Sequence, residues 1–136
     1  MDNQKIDRKI AVIFATDVVG FSTAMETDED QTLKNFRACK NILDDLFKEH
    51  SGRVFNTAGD SVLAEFSSAV SAVICASEFQ KLIQERNASA SLPQNGKMEF
   101  RVGLNMGDVI VEGSNLYGDG VNVAARLEAL AQPNGV

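Results

Sequence analysis

Strand-like and helix-like segments follow one another along this chain in an order that few folds can accommodate. Apolar runs or alternations predict the strands, and apolar residues spaced three or four apart predict the helices. In order, the segments are a strand at 9–16, a helix at 27–50, strands at 52–57 and 61–66, a helix from 67 or 68 to about 86, strands at 97–106 and 109–112, and a helix from about 119. This order contains the split βαββαβ pattern of ferredoxin-like folds, which predicts an α+β domain with an antiparallel-rich sheet and helices packed on one face.

Turn and cap residues set the boundaries of these segments. Thr27 is predicted to cap the first helix, and Gly59 with Asp60 to form a hairpin turn. A second turn is predicted at Gly107 and Asp108. The buried side of the second helix is predicted to be Val70, Val73, Ala76, Phe79 and Ile83, and that of the third helix Val121, Val123, Leu127 and Leu130.

Composition limits the class of protein. The 136 residues suit one domain, with a polar lead at 1–7 and the domain itself at 8–136. A formal net charge of −6 argues against a nucleic-acid partner. No apolar run approaches the ~20 residues of a membrane helix. Cys39 and Cys75 lack metal-ligand spacing and are predicted to be buried free thiols, which suits the reducing cytoplasm, so we expect a cytoplasmic protein without a membrane segment.

Two acidic residues are predicted to meet at one edge of the sheet. Asp17 ends the first strand, and Asp60 lies at the tip of the hairpin expected beside that strand. Paired carboxylates suit hard cations such as Mg²⁺, and two such cations can hold a nucleoside triphosphate. Gly20, just behind Asp17, would let backbone amides approach a phosphate closely.

Four stretches of the chain resemble, in order, the motifs of the class III nucleotidyl cyclase catalytic domain, in its bacterial form. They are "DVVGFS", "GDSVLAEF", "RVGLNMGDVIVEG" and "YGDGVNVAARLEALAQPNG", and the resemblance runs from about Arg8 to the end of the chain. It implies the conversion of ATP, or less favourably GTP, to a 3′,5′-cyclic nucleotide and pyrophosphate. It also implies a homodimer whose two active sites are shared across the interface.

The resemblance implies a role for each matched residue. Asp17 and Asp60, helped by the Val18 carbonyl, would hold two Mg²⁺ ions, for which Mn²⁺ can substitute. Asn122 would position the ribose and Arg126 would contact the α-phosphate, both reaching the site from the other protomer. Their i, i+4 spacing places both on one face of a helix. The residues implied to bind substrate are Gly20, Phe21, Ser22, Asn56, Gly59 and Asn115.

The chain departs from the family pattern where the purine is read. Adenylate cyclases of the best-known type carry a lysine and an aspartate where this chain has Asn56 and Asn115. An asparagine amide both donates and accepts hydrogen bonds, so this pair leaves ATP and GTP open. ATP is favoured only because it is the commoner substrate in the family.

The end of the chain is a second departure. The family continues beyond "AQPNGV" through strands that carry a basic residue for the terminal phosphates. We therefore expect an incomplete catalytic domain, weakly active or inactive as it stands, with any regulatory domain beyond Val136. Lys97 and Arg101 are the nearest basic candidates for the leaving pyrophosphate, although neither is evidently placed for it.

Other interpretations stay open. Asp17 alone could cap a strand end. Asp60 could be an aspartate of the kind that is common in hairpin turns, and Asn122 with Arg126 could form a solvated helix face. A degenerate cyclase-like domain that dimerises or binds nucleotide without turnover is the main alternative. A diguanylate cyclase is disfavoured because "AGDSV" is not a "GGDEF"-type hairpin. Ser22 has no neighbouring base candidate for nucleophilic catalysis, and His50, at a helix end, is given no catalytic role.

Overall fold

A computed structural model describes residues 6–89 and 91–136 of the protein. Its elements are β1 (Asp7–Val18), α1 (Phe21–Thr27), α2 (Glu29–Glu49), β2 (Arg53–Ala58), β3 (Ser61–Phe66), α3 (Ala69–Asn87), a 3₁₀ turn (Gln94–Gly96), β4 (Phe100–Glu112), β5 (Asn115–Tyr117) and α4 (Asp119–Leu130). Residues 1–5 of the predicted polar lead lie outside the described residues, and its last residue, Asp7, already belongs to β1.

One antiparallel sheet organises the molecule. Its strand order is β2-β3-β1-β4-β5, so β1 is central and lies beside the β2–β3 hairpin. β1 and β4 are paired at every position from Asp7 opposite Val111 to Val18 opposite Phe100. This is the order expected of a split βαββαβ core, and the predicted α+β fold is confirmed.

The predicted turn at Gly107 and Asp108 is wrong. β4 runs straight through both residues, which pair with Ala11 and Ile10 of β1. A turn there would leave the first half of β1 without hydrogen-bond partners on that side, whereas a continuous β4 satisfies the whole strand. The chain reverses instead at Gly113, whose φ of 60° lies in the left-handed region that glycine tolerates best.

Helices cover both faces of the sheet. On one face, Val12 and Phe14 of β1 pack with α2 and α3, as predicted for the two helices of the split core. On the other face, Ala11 and Ile13 pack with α4, so the prediction of helices on one face does not extend to this last helix. The reason is that β1 is apolar at successive positions rather than at alternate ones, so both of its sides need cover.

The start of the first long helix differs from the prediction. A separate short helix, α1, precedes it, and Asp28 rather than Thr27 is the N-cap of α2, accepting a hydrogen bond from the Gln31 N–H. The Thr27 hydroxyl donates instead to the Thr23 carbonyl within α1. For the second helix the sequence leaves Ser67 and Ser68 open as the N-cap, and the structure has Ser68, whose side chain accepts from the Ser71 N–H.

The buried side of α3 is rotated from the predicted one. Ala76, Phe79 and Ile83 are buried as expected, whereas Val70 and Val73 are 68% and 52% exposed. The buried positions are Ala72, Cys75, Ala76, Phe79, Gln80 and Ile83. The first turns of this stripe carry the small residues Ala72, Cys75 and Ala76, all completely buried.

Both cysteines are buried free thiols, as predicted. Burial, together with the charges of Glu78 and Glu49, raises the pKa of Cys75 to about 12. Within residues 6–89 and 91–136, no helix combines the length and apolar character needed to cross a membrane.

The contact between α4 and β4 depends on Gly103. A Cβ at this position would lie 2.3 Å from the Glu128 nitrogen and 2.5 Å from the Ala124 carbonyl oxygen. These are backbone atoms of α4, so the helix rests directly on the strand and no side-chain movement could make room.

We predict that Gly103→Ala will destabilise the protein by about 1–3 kcal/mol, because α4 must move away from β4. Urea unfolding of the variant measures this cost. Gly107→Ala is a matched control in the same strand, where the nearest atoms would be 3.2 and 3.4 Å from the new Cβ. Equal costs for the two variants would contradict the proposed role of Gly103.

An ion-pair network joins three strands at the end of the sheet remote from Asp17. Glu65 of β3 binds Lys9 of β1 at 2.9 Å and also Arg53 of β2. Desolvation acts to raise the pKa of Glu65, but hydrogen bonds and charge from Lys9 and Arg53 outweigh it, so the pKa is lowered. The carboxylate therefore stabilises the folded state while it is ionised.

Glu65→Gln is expected to lower the free energy of unfolding at neutral pH by about 1 kcal/mol or less, as for other partly exposed ion pairs. The pKa of Glu65 is lower in the folded state than in the unfolded state. The extra stability of wild type over the variant is therefore present above the unfolded-state pKa, and it disappears as the pH falls through the folded-state pKa. Urea unfolding over a pH series tests this, with the exposed Glu85→Gln as control. A difference that persists in acid would exclude the electrostatic explanation.

Candidate active site

Asp17 lies near the end of β1, on the side of the sheet that α4 covers. Its cross-strand partner in β4 is Arg101, and the two residues share a face because paired positions of adjacent strands point the same way. One carboxylate oxygen of Asp17, Oδ1, is buried without a hydrogen-bond partner. A buried acceptor in this state carries a desolvation cost that a cation could offset.

Asp60 reaches the same end of β1. The turn that carries it depends on Gly59, whose φ of 58° lies in the left-handed region. The Val18 N–H donates a hydrogen bond to Asp60 Oδ2 at 2.9 Å, which holds the carboxylate beside the residue that follows Asp17. The structure thus brings together the two acids that the sequence suggested would meet.

A third acid, Glu128 of α4, lies in this site and was missed from the sequence. It is only 7% exposed. Its pKa is raised to about 8, first by burial and then by its proximity to Asp17 and the charges of Asp17 and Asp60, whereas the charge of Arg101 acts to lower it.

The sequence prediction placed the buried stripe of α4 incorrectly, which is why Glu128 was overlooked. Val121, Ala124 and Glu128 form the buried stripe. Leu127 and Leu130, which were predicted to be buried, are 43% and 78% exposed. The spacing of 121, 124 and 128 is a regular helical pattern, but one position of it is a charged residue that no hydrophobic pattern selects.

Asn122 and Arg126 are exposed on the other side of α4. At about 100° per residue, Arg126 lies about 200° around the helix from Glu128. Within one chain, therefore, the buried side of α4 meets Asp17 and the opposite side presents Asn122 and Arg126.

The residues implied to read the purine lie on the two edge strands of the sheet. Asn56 is exposed on β2, next to an irregularity in the β2–β3 pairing, and Asn115 is on β5. The Asn115 amide is already engaged, donating to the Tyr117 hydroxyl at 3.1 Å and accepting from the Leu116 N–H at 2.8 Å.

The segment after β1 turns sharply into α1. Gly20 is the N-cap of α1, with φ at 67°. Ser22 is exposed, whereas the Phe21 ring packs edge-on against Phe36 at a centroid distance of 5.7 Å. The Phe21 ring therefore belongs to the core, and only its backbone faces the turn.

The two basic residues considered for the leaving pyrophosphate, Lys97 and Arg101, occupy different places. Arg101 is part of the acid cluster, and its Nε is buried without a hydrogen-bond partner. Lys97 lines a cleft of about 530 Å³ beside Val18 and Val19, with Glu99 on the same wall.

Among the described residues, one other group could hold a metal ion, and it is separate from this site. Ligand atoms of Glu49, His50 and Glu78 lie within 4.8 Å of one another. His50 is the C-cap of α2, and its Nε2 is 3.1 Å from Glu78 Oε2. This distance is that of an ordinary hydrogen bond between two helices.

Comparison with known proteins gives one consistent family. The family model of the adenylate and guanylate cyclase catalytic domain matches residues 2–136. The chain is 49% identical over 137 residues to "Putative adenylate cyclase 3" of Rhizobium meliloti (strain 1021), covering all of this chain and 23% of that protein. It is 32% identical over 137 residues to an adenylate cyclase of Streptomyces coelicolor, covering 99% of this chain and 33% of that protein. The chain thus spans a third or less of the length of these relatives.

Solved structures agree with the sequence relatives. The adenylate/guanylate cyclase/hydrolase from Silicibacter pomeroyi superposes with a TM-score of 0.85 at 34% identity, covering 96% of this chain and 75% of that one. A bacterial light-regulated adenylyl cyclase superposes with a TM-score of 0.81 at 26% identity, covering 91% and 71%. The fold, the order of the motifs and these matches lead to one conclusion: the chain belongs to the adenylate and guanylate cyclase catalytic domain family.

Proposed function

We propose that the protein converts ATP to 3′,5′-cyclic AMP and pyrophosphate, with GTP as the less favoured substrate. The observation that carries this proposal is the pair of carboxylates at the end of β1, where Val18 N–H holds Asp60 beside Asp17. The relatives from Rhizobium meliloti and Streptomyces coelicolor carry adenylate cyclase names, which favours ATP.

The residues present fit a pair of Mg²⁺ ions. Asp17 and Asp60 supply carboxylate oxygens, the ligands that Mg²⁺ prefers, and Asp17 Oδ1 is buried with no partner to satisfy it. The Val18 carbonyl is the proposed third protein ligand. When bound, such ions would favour ionisation of the ribose 3′-hydroxyl and offset the charge on the phosphates.

The remaining chemistry requires positioning rather than a covalent intermediate. The ribose 3′-oxygen attacks the α-phosphorus, the new P–O bond closes the ring, and pyrophosphate leaves with the electron pair of the bond that breaks. Asn122 would orient the ribose, and the Arg126 guanidinium would bind the α-phosphate oxygens as charge builds on them.

The two sides of α4 favour a site shared between two chains. Asn122 and Arg126 point away from the sheet, whereas Asp17 lies under the helix. A head-to-tail homodimer would bring the exposed side of one protomer's α4 to the carboxylates of its partner.

Binding without turnover is the second candidate. The observation that favours it is the engaged Asn115 amide, which would have to release Tyr117 before it could read a purine. Direct measurement of cyclic nucleotide formation separates the two candidates.

We predict cyclic AMP formation from ATP in the presence of Mn²⁺ or Mg²⁺, with a slower reaction from GTP. Asp17→Asn and Asp60→Asn should each reduce the rate at least a hundredfold, because each removes a charged metal ligand. Asp45→Asn, an exposed acid on α2, is the matched control and should be active. Nucleotide binding without any cyclic product from wild type would support the second candidate instead.

Mixing two inactive variants tests the shared site. Asp17→Ala damages the carboxylate side and Arg126→Ala the helix side, so a heterodimer would retain one intact site. Random exchange makes about half of the dimers mixed, so we expect about a quarter of wild-type activity. Co-assembly of Asp17→Ala with Asp60→Ala is the control and should remain inactive, because both changes damage the same side. No recovery in the first mixture would contradict a site shared in this way.

A further inference from the structure

A group of side chains of the kind that bind metal ions lies where the end of α2 meets α3, separate from the carboxylates at the end of β1. Glu49 is the last residue of α2, His50 is the C-cap of this helix, and Glu78 lies on α3. One ligand atom from each of these three residues lies within 4.8 Å of the other two. An imidazole nitrogen with two carboxylate oxygens is a donor set that suits Zn²⁺, whereas Mg²⁺ prefers oxygen ligands alone.

The backbone on both sides of this group is held by the core. The turn that ends α2 is closed by a hydrogen bond from the His50 N–H to the Leu46 carbonyl at 2.9 Å, and Leu46 itself is buried. On α3, the residue after Glu78 is Phe79, which is completely buried. The ligand side chains therefore project from two backbones that core packing keeps in place.

The spacing of the ligand atoms suits a tetrahedral ion. His50 Nε2 is 3.1 Å from Glu78 Oε2. Two atoms bound to one Zn²⁺ at tetrahedral geometry lie about 3.3 Å apart, so this pair is already at the separation that a shared ion requires. The Glu49 side chain is exposed and can reach the same ion by a change of rotamer. The Glu78 side chain is 44% exposed, which leaves room for water in the fourth position.

The charges around this group favour a cation. Among residues 6–89 and 91–136, neither Glu49 nor Glu78 forms an ion pair with a lysine or an arginine. Lys48, in the last turn of α2, is exposed and pairs with neither. Two carboxylates held this close repel each other, and the C-terminal end of α2 adds the partial negative charge of the helix dipole. A divalent cation would offset both effects.

We propose that Glu49, His50 and Glu78 form a second metal site, which binds one Zn²⁺ ion and thereby links the end of α2 to α3. The ion would take the place of the proton between His50 Nε2 and Glu78 Oε2. The proposal does not depend on the proposed function, because none of the three residues takes part in it.

The test is Zn²⁺ binding by tag-free protein, measured by competition with a chromophoric chelator under reducing conditions. Asp17→Asn and Asp60→Asn are combined in every sample, so that the carboxylates at the end of β1 do not contribute. This background should bind one Zn²⁺ per chain. Mg²⁺ in large excess should not displace the ion, because imidazole is not among the usual ligands of Mg²⁺.

Three substitutions in this background test the ligands. His50→Gln removes the imidazole nitrogen but keeps a hydrogen-bond donor for Glu78, and it should weaken Zn²⁺ binding at least tenfold. Glu78→Gln and Glu49→Gln should each weaken it as well, and Glu49 is exposed, so its substitution decides the matter if another variant fails to fold. Glu85→Gln removes the same charge at an exposed position of α3 and is the matched control, with unchanged binding.

X-ray absorption at the zinc edge identifies the ligands directly. We expect nitrogen and oxygen ligands, including one imidazole, in the background protein and loss of the imidazole signal in His50→Gln. Sulfur ligands would place the ion at a cysteine and overturn the proposal. It would also be overturned if the background protein bound no Zn²⁺, or if folded Glu49→Gln and His50→Gln variants bound it as tightly as the control does.

Discussion

The long pairing between β1 and β4 determines where every other part of this protein can lie. β1 is paired with β4 along its whole length and is buried on both faces from Ala11 to Thr16, so helices must cover the sheet on each side. Asp17 is the first residue after this doubly buried run, where the strand can carry a carboxylate without disturbing the core. The candidate site follows from this arrangement: Asp17 lies where the apolar run ends, and the neighbouring hairpin brings Asp60 to the same edge.

Much of this architecture was predictable because local signals and the tertiary fold agree. The order of segments, the β2–β3 hairpin and the cap at Ser68 follow from turn chemistry and periodicity, and they place Asp17 and Asp60 at one edge of the sheet. The turn predicted at Gly107 was wrong because there the local signal and the tertiary fold disagree. Its local glycine-aspartate signal is real, but twelve paired positions with β1 outweigh it, and such long-range pairing is invisible to a local pattern.

The features that were missed depend on close contact between elements. Gly103 has no local reason to be glycine, since it lies inside a strand, and its role appears only where α4 touches β4. Glu128 is hidden for a related reason: a hydrophobic pattern assigns an acid to the solvent side, and here its backbone lies against Gly103, which places it on the buried side of α4. Val70 and Val73 show the converse, because apolar residues at helical spacing stay exposed on α3.

Helix α4 links the two halves of the proposed chemistry. Its buried side carries Glu128, close enough to Asp17 for the charge of Asp17 to act on it, and its exposed side carries Asn122 and Arg126. In the proposed dimer these sides serve different active sites, the first its own protomer's and the second its partner's. The helix is seated on β4 by backbone contact at Gly103, which fixes the rotation of α4 about its own axis relative to the sheet. The same rotation that buries Val121, Ala124 and Glu128 leaves Asn122 and Arg126 on the exposed side, which is where a site shared with a second chain would need them.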